Sequence, residues 1–274
     1  SLGQGDFFAS PFGQAHVFDL VRECGCGGCI AHDSGFNSAK IRKPGALAPR
    51  AKPPSFAPMP RLPTSIQPAN PRVVLLRWDE GTAWPLPKLE AHFPEREWDA
   101  MSEGRLREHQ AVACALTALM GEEGWRVTHC DGKPQLQSVS GERLPLSISH
   151  HSSARNTTAA VAVWEAGEHH GIDLVDTSDL RIPRIAERFM SPREQTQWAQ
   201  TKPWVWAAKE AMFKGHGPNL DFRSDLSVDS MTWEADGGQL VGTVRGAQWR
   251  GACAQVPNSS LGVVWSSPST QDLG

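Results

Sequence analysis

Three residues of this sequence combine acidic and basic groups in a way that suits phosphate chemistry. Asp173 interrupts a strand-like apolar run, and Glu210 and Lys214 are four positions apart in a segment with helical periodicity. A carboxylate in an apolar strand costs free energy unless it is paired or bound to a metal. Two facing carboxylates with a lysine beside them are what magnesium and a pyrophosphate require, because substrate phosphates complete the oxygen coordination of the ion.

The helical segment also has a plain structural interpretation. Glu210 and Lys214 share one face with Trp206, while Lys209 lies at the border of that face. A Glu–Lys pair at this spacing on a solvated helix contributes roughly 0.2–0.5 kcal/mol and needs no further role. The segment alone therefore favours a surface helix, and it is the acid in the apolar strand, Asp173, that favours a functional site.

Taken together, these segments resemble the two signature motifs of the 4′-phosphopantetheinyl transferase superfamily. The motifs are Gly171-Ile172-Asp173 and, after a gap, W-x-x-K-E-A-x-x-K from Trp206 to Lys214. Two upstream stretches look like further motifs of the family, namely Gly132-Lys133-Pro134 and Leu146-Ser147-Ile148-Ser149-His150. Asn219-Leu220-Asp221-Phe222 also looks similar, so the resemblance covers roughly residues 72–265.

The resemblance implies a role for each matching residue. Asp173 and Glu210 would bind magnesium, and Glu210 would also be the general base, directly or through water. Lys209 and Lys214 would contact the phosphates of coenzyme A, with Lys214 stabilising charge in the transition state. The 3′-phosphate end of coenzyme A would be held by Ser149, His150 and Lys133, and Trp206 would support the helix.

Two positions depart from the family pattern. Many members of the longer, surfactin-type subgroup have a second acid where this chain has Val175, and Asp176 would point to the other face of a regular strand. An arginine that often grips the coenzyme aligns near Ala113, so Arg105 or Arg107 would have to replace it. These departures bear on metal and coenzyme affinity more than on the type of reaction.

The implied activity is transfer of the 4′-phosphopantetheine arm of coenzyme A to a serine of an apo acyl or peptidyl carrier protein. Magnesium (Mg2+) would be the cofactor, coenzyme A the co-substrate and 3′,5′-bisphosphoadenosine the released product. Two alternatives stay open: a catalytically weak relic that binds coenzyme A or carrier proteins, and a metal-binding adaptor. The adaptor would use a cluster of three cysteines, Cys24, Cys26 and Cys29.

Periodicity predicts an α+β fold of two similar halves. The resemblance to the longer, surfactin-type subgroup implies that these halves form a pseudo-dimer within one chain, each a small antiparallel sheet packed on helices. The predicted organisation is a low-complexity, disordered segment at 1–71, halves at 72–167 and 168–266, and a tail at 267–274. Within the first segment we expect a short helix at Val17–Arg22. The predicted helices are 104–120, 182–189 and 203–214, and the predicted strands are 72–78, 125–130, 134–137, 144–150, 157–165, 170–175, 226–233, 239–245 and 262–265.

Composition limits the other classes of function. The formal net charge is −3 and both signs are spread along the chain, which argues against nucleic acid as a partner. The sequence has no apolar run of about 18 residues and no secretory pattern at its start, so we expect a cytoplasmic monomer without membrane contact. The six cysteines do not form the spacing of a disulfide framework.

Overall fold

The computed structural model describes residues 72–79, 86–120, 124–153, 156–164, 170–234, 237–256 and 259–269. The expected disorder of residues 1–71, the helix at Val17–Arg22 and the cysteine cluster lie outside these ranges. So do the junction near Gly167 and most of the predicted tail. In the described parts of the chain, no helix is both long enough and apolar enough to cross a membrane.

The first five strands form one antiparallel sheet, and a long helix covers it. The strand order is β1-β5-β4-β3-β2. Helix α2 buries a row of small and apolar side chains, including Ala111, Ala115 and Leu116, against Leu146 and Val161 of the sheet. The elements are β1 (Arg72–Asp79), α1 (Leu86–His92), α2 (Glu103–Met120), β2 (Trp125–Cys130), β3 (Lys133–Ser138), β4 (Arg143–Ser152) and β5 (Asn156–Val163).

The remaining strands form a second antiparallel sheet with the order β6-β10-β9-β8-β7. Helix α6 packs on this sheet through Val205, Ala208 and Met212, which lie in a core with Leu240 and Val264. The elements are β6 (Gly171–Asp176), α3 (Arg181–Arg184), α4 (Ala186–Phe189), α5 (Pro192–Gln197), α6 (Lys202–His216), β7 (Leu226–Glu234), β8 (Gly237–Val244), β9 (Ala247–Gln255) and β10 (Leu261–Pro268).

The two sheets repeat one topology. In each, a first strand leads into helices, four further strands follow, and the last strand of the set pairs with the first. The prediction of an α+β fold with antiparallel sheets is confirmed, and the paired strands are antiparallel throughout the described ladders.

The two halves meet where β4 lies beside β6. Two serine hydroxyls of β4 accept backbone N–H groups of β6: Ser147 Oγ from Ile172 at 3.1 Å and Ser149 Oγ from Leu174 at 3.0 Å. Behind this contact lies a buried cluster that draws on both sheets. Its small members allow close approach of the sheets and its large members fill the remaining space: Ala160, Ala162, Ala252, Ala254, Trp164, Ile172, Leu174, Val263 and Trp265.

Several elements differ from those predicted. The expected helix 182–189 is two short helices, α3 and α4, because Ile185 between them has φ −105° and ψ 10°. Helices α1 and α5 and strand β9 were not predicted. For α5 a signal existed, since Ser191 and Glu194 form a capping box at its start.

Candidate active site

The site is built where helix α6 lies directly on the backbone of strand β6. A Cβ atom added at Gly171 would lie 1.8 Å from the carbonyl oxygen of Ala211, and one at Gly215 would lie 2.8 Å from the carbonyl carbon of His170. Only residues without a side chain permit this approach. The helix is therefore held close enough for Lys214 to contact the carboxylate that projects from β6 and for Glu210 to lie within the field of that carboxylate.

That carboxylate belongs to Asp173, which is 6% exposed. Its Oδ1 atom accepts a charge-assisted hydrogen bond from Lys214 Nζ at 2.6 Å and a second hydrogen bond from Ser149 Oγ at 2.9 Å. Lys214 Nζ also donates to the carbonyl of Ile172 at 3.3 Å. Strand, helix and first half thus converge on one oxygen, and the sequence-based grouping of Asp173 with Lys214 agrees with this geometry.

Glu210 lies one turn before Lys214 and is partly buried. Its pKa is raised to about 7, mainly by burial and in addition by the negative charge of Asp173, while Lys214 acts in the opposite direction. Among the described residues, no hydrogen bond or ion pair of the Glu210 side chain is found. A carboxyl group that titrates near neutral pH beside a second carboxylate is a candidate acid–base group.

The first half contributes His150, which the resemblance assigned to coenzyme A, and Glu108, which the sequence did not single out. His150, at the end of β4, has Nδ1 3.4 Å from Oε1 of Glu108 on α2. Burial is the largest influence on the pKa of His150 and lowers it, whereas Glu108 raises it and the cations Lys214 and Arg105 lower it. His150 therefore lies near Lys214, with Arg105 close by. No motif pointed to Glu108, because it comes close to His150 only through the packing of α2 beside β4.

Lys209 lies elsewhere, which corrects its predicted role as a phosphate ligand. Its side chain is fully buried, and Nζ donates to Glu194 Oε2, to the carbonyl of Phe189 and to that of Phe222, each at 2.8 Å. All three ammonium protons are thus used within the fold. Trp206 packs on the rings of Phe189 and Phe222, with centroids 5.0 and 5.7 Å away, and supports the helix as expected.

Ser149 and Lys133 lie at the contact between the halves, but their polar groups already have partners. The Ser149 hydroxyl bonds Asp173 and the backbone of Leu174, so its position favours orienting Asp173 over binding a 3′-phosphate. Lys133 Nζ donates to the carbonyls of Gly215 and His216 at the end of α6.

The positions that depart from the family pattern have clear places in the structure. Val175 is buried in the core beneath α6 and supplies no oxygen ligand. Asp176 Oδ1 accepts from the backbone N–H and the hydroxyl of Ser178, so it stabilises a turn and does not replace the missing acid. Of the two candidate arginines, Arg105 is exposed beside Glu108 and His150.

The donor groups allow a test of whether magnesium fits. In the described ranges there is no group of three or more His, Cys, Asp and Glu side chains that could hold a metal alone. Asp173 and Glu210 are nevertheless close enough for the charge of one to raise the pKa of the other. Because Mg2+ often takes one or two protein carboxylates, with waters and substrate phosphates as its other ligands, the pair fits an ion held together with a pyrophosphate.

Comparison with known proteins agrees with this arrangement for the second half. A search of curated proteins gave no match for the chain. Residues 170–263 match the family model described as the 4′-phosphopantetheinyl transferase superfamily, a family of transferases that use coenzyme A and act on carrier proteins. This matching segment begins at the residue before Gly171, contains Asp173, Glu210 and Lys214, and ends within β10.

Proposed function

We propose that this chain transfers the 4′-phosphopantetheine arm of coenzyme A to a serine of an apo acyl or peptidyl carrier protein. The observation that carries the proposal is the buried Asp173–Lys214 pair beside Glu210, inside the segment that matches the transferase family. These three groups lie together only because β6 and α6 pack backbone to backbone. A Glu–Lys pair on a solvated helix face would not require this close packing, so the arrangement favours a functional site over a surface helix.

In the proposed reaction the serine Oγ of the carrier attacks the β-phosphorus of coenzyme A. A new oxygen–phosphorus bond forms, and the bond from the β-phosphorus to the bridging oxygen breaks. That oxygen keeps the electron pair and leaves with 3′,5′-bisphosphoadenosine, while the serine proton passes to Glu210 directly or through a water molecule. Reactions of this type depend mainly on positioning and on stabilisation of charge.

The described residues supply both requirements. A pKa of about 7 leaves part of Glu210 ionised at neutral pH, so its carboxylate can accept a proton. The Lys214 ammonium, 2.6 Å from Asp173, is close enough to neutralise pyrophosphate charge that develops beside that acid. Magnesium held by Asp173 and Glu210 would supply further positive charge at the pyrophosphate.

The first half would complete the coenzyme site. Ser149 orients Asp173, and His150 and Arg105 lie on the side of the site formed by β4 and α2. A partly exposed histidine and an exposed arginine suit the phosphates of a nucleotide. The repeated sheet topology supports a pseudo-dimer of two transferase-like halves, as in the longer surfactin-type subgroup, acting as a monomer.

The metal assignment is tested by replacing the two acids singly. Asp173→Ala and Glu210→Ala should each abolish transfer, because each removes one of very few protein oxygen ligands. The measurement is the mass gain of apo carrier proteins incubated with coenzyme A, magnesium and the full chain. Glu187→Ala, at an exposed acid on α4, serves as the matched control and should retain turnover. Near-normal transfer by either site variant would contradict the proposal.

Lys214→Ala separates an active enzyme from a relic that only binds its ligands. An interaction that strengthens in the transition state lowers kcat when it is removed, whereas one that is equal in both states only raises KM. We expect a loss on the order of a hundredfold in kcat, as for deletion of a preorganised electrostatic contact. Lys202→Ala, at the start of the same helix, is the control. Coenzyme A binding without turnover by the unaltered chain would favour the relic.

A further inference from the structure

Lys133 joins the first half of the chain to the end of the helix that carries the site. It is the first residue of β3, and its Nζ donates to the carbonyl of Gly215 at 3.1 Å and to that of His216 at 2.9 Å. Both acceptors belong to the last turn of α6. The contact spans 82 and 83 positions of sequence, so it is a tertiary contact between the halves.

The last carbonyls of a helix have no partner within the helix, and they carry the negative end of its dipole. A lysine that donates to two of them satisfies both carbonyls and places a positive charge where the dipole favours it. Lys214 directly precedes these two residues, and its ammonium must stay at Asp173. Fixing the end of α6 therefore also fixes Lys214.

The backbone just after α6 leaves space for the side chain of Lys133. Gly217 has φ +115°, and a Cβ atom there would lie 2.7 Å from Cε and 3.0 Å from Nζ of Lys133. The absence of a side chain at this position leaves room for the lysine stem to reach the two carbonyls. The local backbone thus accommodates this particular contact.

We infer that Lys133 is a positioning residue, which fixes the C-terminal end of α6 against the first half and thereby holds Lys214 at Asp173. This role replaces the nucleotide-binding role that the family resemblance implies for Lys133. The inference concerns the reaction proposed above and rests on that function. Its structural part, the anchoring of α6, can be measured without turnover.

The experiment uses the full chain with Lys133→Met, which keeps the aliphatic stem but removes the donors, and with Lys133→Arg. Arg143→Met, at an exposed residue of the neighbouring strand, is the matched control. Steady-state kinetics with coenzyme A and an apo carrier protein give kcat and KM. Equilibrium binding of 3′,5′-bisphosphoadenosine gives its Kd, and hydrogen exchange reports the amides in the last turn of α6.

Lys133→Met should lower kcat about tenfold or more, because a shift of about 1 Å in a catalytic group can cost on the order of a hundredfold. The Kd for 3′,5′-bisphosphoadenosine should stay within about twofold, and Lys133→Arg should restore most of kcat, since a guanidinium can donate to both carbonyls. A tenfold rise in that Kd with kcat unchanged would show a nucleotide ligand and overturn the inference.

If no carrier protein is modified by the unaltered chain, the proposed function fails, but the anchoring can still be decided. Faster exchange of the last-turn amides of α6 in Lys133→Met, and not in Arg143→Met, supports it. Unchanged exchange in Lys133→Met overturns it.

Discussion

At the scale of single residues, the site contains two acids, and within the described part of the chain only Asp173 is directly paired. Lys214 and Ser149 both donate to Oδ1 of Asp173. Among the residues that the structure describes, the negative charge of Glu210 is offset only by the electrostatic field of Lys214, without a hydrogen bond between the two. Two neighbouring carboxylates do not both ionise readily unless a cation lies between them. The metal-free protein should therefore carry an electrostatic penalty that a bound cation relieves.

This penalty predicts a pH-dependent stability. Because the folded pKa of Glu210, about 7, lies above its ordinary value of 4.5, the folded state binds this proton more tightly than the unfolded state. The free energy of unfolding should therefore fall as the pH rises from about 4.5 to about 7. At pH 8, in a chelating buffer, Glu210→Gln should be more stable by up to about 3 kcal/mol, at about 1.4 kcal/mol per pKa unit.

Thermal unfolding at pH 4.5 and pH 8 measures the effect. The gain should vanish at pH 4.5, where Glu210 is already protonated, and transfer should be lost at every pH. Solvent screening at a partly exposed group reduces the size of the gain but not its sign. A variant that is less stable than the unaltered chain at pH 8 would refute the electrostatic account of this residue.

At the scale of elements, the contact between α6 and β6 determines the geometry of the site. Gly171→Ala would place a Cβ atom 1.8 Å from the carbonyl oxygen of Ala211, so the helix must move. We expect a loss of about 1–3 kcal/mol, as for other overpacked cores, and at least a tenfold loss of turnover.

Gly104→Ala on α2 is the matched control for that substitution. A Cβ atom there meets no other atom within 4 Å, so the change should be neutral or slightly stabilising, as expected for alanine in a helix. Chemical denaturation and turnover well below the unfolding temperature distinguish the two variants. Normal turnover in Gly171→Ala would show that the close approach is not required.

Helical and strand periodicity predicted which residues of each element share a face, but not the tertiary contacts that these residues make with other elements. The period of 3.6 placed Glu210 and Lys214 on one face, and strand alternation placed Asp176 on the opposite face of the strand from Asp173. The position of Lys209 is decided by Glu194, a capping-box residue on another helix, whose Oε2 accepts a hydrogen bond from Lys209 Nζ at 2.8 Å. Such a tertiary partner leaves no periodic signal, and the same is true of the contact that Lys133 makes with α6.

Among the helices and strands, too, some were predicted from the sequence and others were not. The long helix and most strands were predicted to within a few residues, because their apolar periods are sustained. Strand β9 was not predicted, because Gly251, Ala252 and Ala254 provide little β-propensity although they lie in a buried strand. Ala252 and Ala254 are explained by the contact between the sheets, which only the folded structure reveals.

At the scale of the whole molecule, the candidate site draws side chains from both halves. The segment that matches the family model contains Asp173, Glu210 and Lys214, while Ser149 and His150 come from the first half. A chain limited to residues 168–274 should therefore show no transfer. It should also aggregate, because the buried cluster between the sheets would be uncovered.

Residues 72–274 provide the control for this deletion. The first 71 residues lack a packing pattern, so their removal should leave the unfolding temperature and turnover nearly unchanged. Mass gain of an apo carrier protein and light scattering compare the two shortened chains. Transfer by residues 168–274 alone would show that the first half is dispensable for the chemistry.

The pairing of the first and last strands within each half has a consequence for the order in which the site is assembled. Strand β6, which carries Asp173, lies at the edge of its sheet and joins it through β10, the last strand of the described chain. Pairing between strands so distant in sequence closes a long loop, and such contacts slow folding. During synthesis, Asp173 leaves the ribosome well before Glu210 and Lys214, but its strand cannot enter the sheet until β10 has emerged. We therefore expect the candidate site to take its final geometry only after β10 has been synthesised and has paired with β6.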